Sequence, residues 1–335
     1  MSEVIDMFGL TKGETCLLFS LQSNLISEDI LVEKNAEKRA KKQQWHAEWK
    51  KNVEERLNEI QRGEEKEYSI LFYPYTLELP AKTVMDKANS PITKYLILLE
   101  LATFIPYYSF KPEHKEKYKG LKLNKDKNTN NIKILATYLG LSASDVDKFI
   151  NCYKKAIKGI NGDRLPYILG GALILAILAA ATIPMIAPSF AAAGLHGAAA
   201  YAAGLAALGG GAVAAGGFGM AGGMVVIVGG GALLGGTAGR EIGAILASAP
   251  DFALMQAAKL EVIFKEVILF SEKDVRIGQE ILKKQRATIM ELENQLSVMK
   301  LKAESRKDEI ESMKKAIKYL REALERNERA MVSNA

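Results

Sequence analysis

Between Arg164 and Arg240 lie 75 consecutive residues without one formally charged side chain, in a chain of 335 residues of which 25% are Asp, Glu, Lys or Arg. Charge this segregated is foreign to ordinary soluble domains, whose surface elements carry it throughout. The block therefore belongs in hydrocarbon or in an apolar interior. Its first part, YILGGALILAILAAATIPMIA, is the most hydrophobic stretch of the chain. Covering residues 167–187, it meets the ~20 residues that one helical span needs.

Beyond Pro184 and Pro188 the composition changes, and residues 190–239 hold 17 of the 28 glycines. Each glycine in a water-exposed helix costs ~0.8–1 kcal/mol relative to alanine, so this stretch makes a poor free-standing soluble helix. In a bilayer, backbone groups must pair internally and small residues let helices approach closely. Gly231, Gly235, Gly239 and Gly243 recur at steps of four, which places them on one helix face, and Gly219 with Gly223 makes a further pair. This spacing predicts a close-packing seam within or between copies. His196, the one titratable group of the block, is read as the polar turn of a hairpin.

Basic residues flank the block on both sides: Lys154, Lys155, Lys158 and Arg164 before it, Arg240, Lys259 and Lys265 after it. Read as a topology signal, they put both ends in the cytosol and make the number of crossings even. The expectation is a transmembrane hairpin of spans 167–187 and 220–246, with Arg240 and Glu241 at the end of the second. The predicted location is a membrane, with the N- and C-terminal regions on its cytoplasmic side. The first residues carry acids and lack a signal peptide's basic start.

The flanks read as helical, giving an all-α chain of four regions: a charged N-terminal helical region 1–67, a small helical domain 68–163, the hairpin region 164–250, and an amphipathic helix with coiled coil over 251–335. Residues 28–67 predict one long charged helix, with Trp45, Trp49, Val53, Leu57 and Ile60 on a packing stripe. YSILFYPYTLEL suggests a short strand or extended arm. ITKYLILLELATFI is too short to span a bilayer and predicts a buried helix. Lys111–Lys133 reads as an exposed basic loop, suited to solvent and less to anionic lipid or nucleic acid. Ala136, Gly140 and Val146 have helix-turn-helix spacing, but Asp145 and Asp147 at the second helix's start suit capping better than DNA. A nucleic-acid partner is disfavoured.

From Leu282 an a/d seam runs for seven heptads through Ile289, Leu292, Leu296, Met299, Ala303, Ile310, Met313, Ile317, Leu320 and Leu324 to Met331, with polar Gln285, Arg306 and Asn327 interposed. It predicts a coiled coil, preferentially between copies and otherwise with the N-terminal helix. Cys16 and Cys152 are too isolated for a metal or an obligate disulfide and read as free thiols. No P-loop, dinucleotide fingerprint, metal set or nucleophile constellation is present, so no catalytic residue, metal or cofactor is expected.

The block from ALILAILAAATIPMIAP through GGGALLGGTAG resembles the Gly/Ala-rich membrane segment of the interferon-inducible small hydrophobic protein family, and the layout resembles transmembrane effectors of bacterial anti-phage defence. The resemblance covers about a quarter of the chain and transfers no site residue. It implies a homo-oligomer that inserts into a lipid bilayer and permeabilises it when a protein or small-molecule trigger acts on the polar domain, in antiviral defence or cell death. The rival expectation is a membrane-anchored scaffold that recruits a partner.

Overall fold

The computed structural model describes residues 3–60, 76–88, 90–107, 117–162, 224–234, 250–301 and 307–333. They are mainly helical, and the chain divides into two compact units. The first is Leu10–Ile150; the second joins Met1–Gly9 to Asn151–Ala335.

In the first unit, α2 (Lys12–Val32) is the central element, packed by α3 (Ala36–Ile60), α4 (Glu78–Met85), α5 (Thr93–Ala102) and α6 (Lys125–Tyr138). Its start is fixed by a reciprocal cap: the Glu14 amide donates to Thr11 Oγ1 and the Thr11 amide to the Glu14 carboxylate. Leu17, Leu18, Leu21, Leu25, Ile26 and Ile30 are buried along it. Because apolar neighbours surround α2, its sequence shows little amphipathic contrast.

The expected single helix over 28–67 is two helices. Asn35 interrupts it, its Oδ1 accepting from the Lys38 amide at 2.9 Å as the N-cap of α3. The stripe survives the break: Trp45, Trp49 and Val53 are buried, and Trp45 meets Trp49 and Tyr107 with ring centroids 6.1 and 5.3 Å apart. The side chains of Leu57 and Ile60 and the arm at 68–75 lie outside the described residues. The apolar run 92–105 does form the buried helix α5.

The expected basic loop is helix over its last third. Asn124 Oδ1 accepts from the Lys127 amide and opens α6. Gly140, at φ +73°, turns the chain into α7 (Ala143–Asn161), where Ser142 and Asp145 exchange side-chain and backbone hydrogen bonds. Asp145 is thus a capping residue.

The second unit contains α1 (Glu3–Met7), the strand β2 (Met224–Ile227), a 3₁₀ turn Gly231–Leu234, and three long helical elements. Strand β1 (Gly9–Thr11) lies where the units divide. Helix α8 (Pro250–Val262) continues as a π-helix, Ile263–Leu269, and is followed by α9 (Val275–Leu301) and α10 (Lys307–Ser333). The stretch 251–270, expected to be amphipathic, is buried nearly all round, including Asp251, Lys259 and Glu261. It is the unit's core, with α10 packed on α8 and α9 on α10.

One expectation is overturned. Among the described residues no helix is long and apolar enough to cross a membrane, so the predicted location in a membrane with both terminal regions on the cytoplasmic side is withdrawn. The physical reasons are local. Helix α5 has ten residues, α8 carries buried charge, α2 interleaves its apolar residues with Ser, Gln and Asn and is charged at both ends, and α3, α9 and α10 are charged along their length. The expected second span, 220–246, contains a strand, a turn and a 3₁₀ turn over 224–234, where one α-helix was predicted. The expected first span, 167–187, lies outside the described residues.

Candidate functional site

The segment that contains the charge-free block leaves α7 after Asn161–Gly162 and returns at Pro250–Asp251. Both points are held on the same face of α10. The Tyr319 hydroxyl donates to Asn161 Oδ1 at 2.8 Å, and Lys315 Nζ pairs with Asp251 Oδ1 at 3.1 Å. Tyr319 and Lys315 are four residues apart, one helical turn, and the ammonium lies 5.7 Å from the Tyr319 ring centroid. The block is therefore an excursion that starts and finishes at one neck.

A second clamp lies one to two turns further along α10. Arg326 reaches Glu261 of α8 with two hydrogen bonds, 2.8 Å from Nε and 2.7 Å from the guanidinium tip, a bidentate arrangement. Lys265 joins the same carboxylate at 2.6 Å. Glu261 is buried, so these donors balance its desolvation. The bonds to Glu261 hold the Arg326 pKa above its ordinary value against the opposing effect of burial. Gly159 of α7 lies directly under the guanidinium: a Cβ there would stand 2.3 Å from it. A side chain at position 159 would displace the Arg326 guanidinium from this place.

The last part of the block is itself docked. Val228 donates its amide to the Phe8 carbonyl at 3.0 Å, and Gly229 and Gly230, at φ +63° and +86°, turn the chain against α8. A Cβ on Gly230 would lie 2.4 Å from the Gln256 carbonyl oxygen and 2.6 Å from the Leu260 nitrogen, so only glycine permits this approach. The 3₁₀ turn then buries Ala232, Leu233 and Leu234 among α1, α8 and α9, and Thr288 of α9 donates its hydroxyl to the Leu233 carbonyl at 2.8 Å. That bond satisfies a buried backbone acceptor which the short turn leaves open.

Of the expected glycine seam, Gly231 lies in the docked turn; Gly219, Gly223, Gly235, Gly239 and Gly243 lie outside the described residues, as do His196 and the Arg240–Glu241 pair. The heptad residues are placed within one chain. Leu282, Ile289, Leu292 and Leu296 on α9, and Ile310, Met313, Ile317 and Leu320 on α10, are buried, while Met299 and Leu324 are half-buried. The two arms run antiparallel, as Arg286 with Glu328 and Glu293 with Arg321 show. Two of the polar seam residues meet: Asn327 donates to Gln285 Oε1 at 3.1 Å in a buried setting.

Thr288, Tyr319, Glu261, Arg326, Gly159 and Gly230 were not foreseen. Gly230 sits in a GGG run that composition alone cannot rank, and the others are polar residues whose partners are remote in sequence. Cys16 and Cys152 are free thiols; burial pushes the Cys16 thiol up, and Cys152 donates to Glu266 at 3.2 Å. Among the described residues no three His, Cys, Asp or Glu side chains converge as a metal site would require. The chain matches no known protein family, no curated protein and no solved structure.

Proposed function

We propose that this chain is a self-assembling effector that permeabilises a lipid bilayer, with the charge-free segment as its active part and the second unit as the holder from which that segment is deployed. The observation that supports this reading is the neck. A stretch of Gly, Ala and large aliphatic residues leaves and rejoins a charged helical unit on one turn of α10, and its returning end is pinned by Thr288, Phe8 and the close approach at Gly230. Among the described residues the segment is tied to its holder at the neck and through the docked turn, and a trigger that frees that turn would release the segment without unfolding the long helices. Each such bond contributes ~0.5–1.5 kcal/mol net, a barrier that a trigger of modest affinity overcomes.

Released apolar segments from several copies would associate through their glycine-rich faces in the bilayer. Host-cell growth arrest or death during infection is the use that the layout suggests. The scaffold reading loses ground, because the heptad seam that would recruit a partner is occupied by the chain's own second arm. The decisive experiment is dye release from vesicles by the purified full chain, with and without expression-derived binding partners, compared with a Gly235→Leu variant. Release that the leucine variant suppresses is the expected result. No release in any oligomeric state, and no toxicity on expression, would remove the proposal.

A further inference from the structure

The end of the α2/α3 hairpin in the first unit combines two features that rarely coincide by packing alone. Leu31 and Val32, in the last turn of α2, are 72% and 38% exposed. Lys34 lies in the connection that follows them and Lys38 in the first turn of α3. The start of α6 joins this end of the unit because the Asn124 amide donates to Asp29 Oδ1 at 2.7 Å, bringing Lys122 and Lys125 with it.

The carboxylates here are largely spoken for. Glu28 pairs with Lys127 at 2.9 Å, Glu33 with Lys42 at 3.0 Å and Glu37 with Lys41 at 2.7 Å, which leaves Asp126. Lys34, Lys38, Lys122 and Lys125 make no ion pair with a carboxylate among the described residues. The tip therefore combines an exposed aliphatic pair with lysines that no carboxylate neutralises by direct pairing.

We propose that this tip docks on the surface of a bilayer containing anionic lipid, with Leu31 and Val32 entering the headgroup layer and Lys34 and Lys38, which follow them in the chain, meeting lipid phosphates. An exposed aliphatic pair followed within one to two turns of chain by ammonium groups on long methylene stems suits the boundary between hydrocarbon and headgroups. Each half compensates the other's weakness: two aliphatic side chains bind a membrane feebly, and so do a few lysines, while both together give useful affinity. Nucleic acid fits less well, since the exposed apolar residues are aliphatic and provide no ring for base stacking. The inference rests on the permeabilisation reading and names the lipid class, but docking is measured separately from leakage.

The test is co-sedimentation of the full chain with phosphatidylcholine vesicles and with vesicles that also contain phosphatidylglycerol. Binding to the mixed vesicles that weakens with added salt is expected, and Leu31→Ser with Val32→Ser, or Lys34→Gln with Lys38→Gln, should each weaken it about tenfold or more. These positions are exposed, so circular dichroism should show the wild-type helix content. Equal binding to neutral vesicles, or wild-type binding by both double variants, would overturn the proposal. So would competition by heparin combined with indifference to Leu31→Ser and Val32→Ser, which would mark a general polyanion site. Docking without dye release would leave the tip's role intact and count against permeabilisation; release without a requirement for these residues would do the reverse.

Discussion

Asn161 and Asp251 lie ninety positions apart in the chain, yet the side chains that hold them, Tyr319 and Lys315, stand on one turn of α10. The first prediction concerns this neck. Tyr319→Phe removes the bond to Asn161 and Lys315→Met the pair with Asp251; each should lower global stability by no more than about 1 kcal/mol. Their combined effect should appear instead as faster hydrogen exchange in residues 163–249 and greater dye release. Unchanged exchange in that segment would mean that the neck does not restrain it.

Gly230 provides a steric prediction. Gly230→Ala places a methyl group 2.4 Å from a carbonyl oxygen at φ +86°, and neither α8 nor the turn can yield without displacing buried neighbours. A loss of about 2–4 kcal/mol is expected, read as a fall in the urea midpoint. Alanine at Gly120, also at positive φ but in open space, should cost less, and equal losses would contradict the crowding argument.

The Thr288 hydroxyl can be tested by an isosteric change. Thr288→Val keeps the volume and leaves the Leu233 carbonyl buried without its donor, at a cost of about 1–3 kcal/mol. If the docked turn is the restraint proposed above, the variant should also release vesicle dye at lower protein concentration.

His46 makes the first unit sensitive to acid. Its ring bonds Ser23 Oγ at 2.8 Å in the α2/α3 interface, and burial, helped by the Lys50 charge, pushes its pKa down to about 3. An unfolded imidazole takes up a proton below pH ~6.5, so protons favour the unfolded chain throughout the interval between the two values. Stability is full above pH ~6.5 and declines as pH falls toward 3, by about 2 kcal/mol at pH 5. Urea unfolding across this range should show that slope, and His46→Leu should flatten it; a slope unaffected by the substitution would assign the effect elsewhere.

The Asp29–Lys42 pair is the other buried polar group of that interface. Asp29 accepts from Lys42 at 2.7 Å, from the Tyr107 hydroxyl and from the Asn124 amide, so all three partners converge on one carboxylate. Lys42→Met leaves the charge without its cation and should cost about 3–5 kcal/mol. Adding Asp29→Asn should recover part of the loss, since a neutral amide suits a site without a lysine. No recovery in the double variant would argue against charge as the cause.

Local patterns were readable where the cause was local. The α5 core, the turn at Gly140, the Asp145 cap and the Trp45–Trp49 stripe all follow from spacing and capping chemistry. Asn35 breaks the expected long helix by capping α3, and the helix formers on either side of it hide that break from composition. The heptad pattern from Leu282 to Leu324 is equally compatible with a parallel pair of copies and with a hairpin of two arms in one chain. What separates them is which polar residues meet, and Gln285 with Asn327 is a pairing that only the antiparallel arrangement brings about. Period-four spacing implies one helix face only where the backbone is helical, and at Gly231, the one seam glycine among the described residues, the backbone forms a 3₁₀ turn that follows the positive φ angles of Gly229 and Gly230.

The clamp of α7 and α8 against α10 also bears on how such a chain can change over generations. An insert whose two ends are fastened side by side is a cassette: lengthening, shortening or exchanging it adds closure entropy that grows only slowly with length and leaves the helical frame's register untouched. Variation between descendants of this chain should therefore accumulate in the Gly/Ala-rich segment outside the docked turn at residues 230–234, while Glu261 and Arg326, which pair bidentately, should change together.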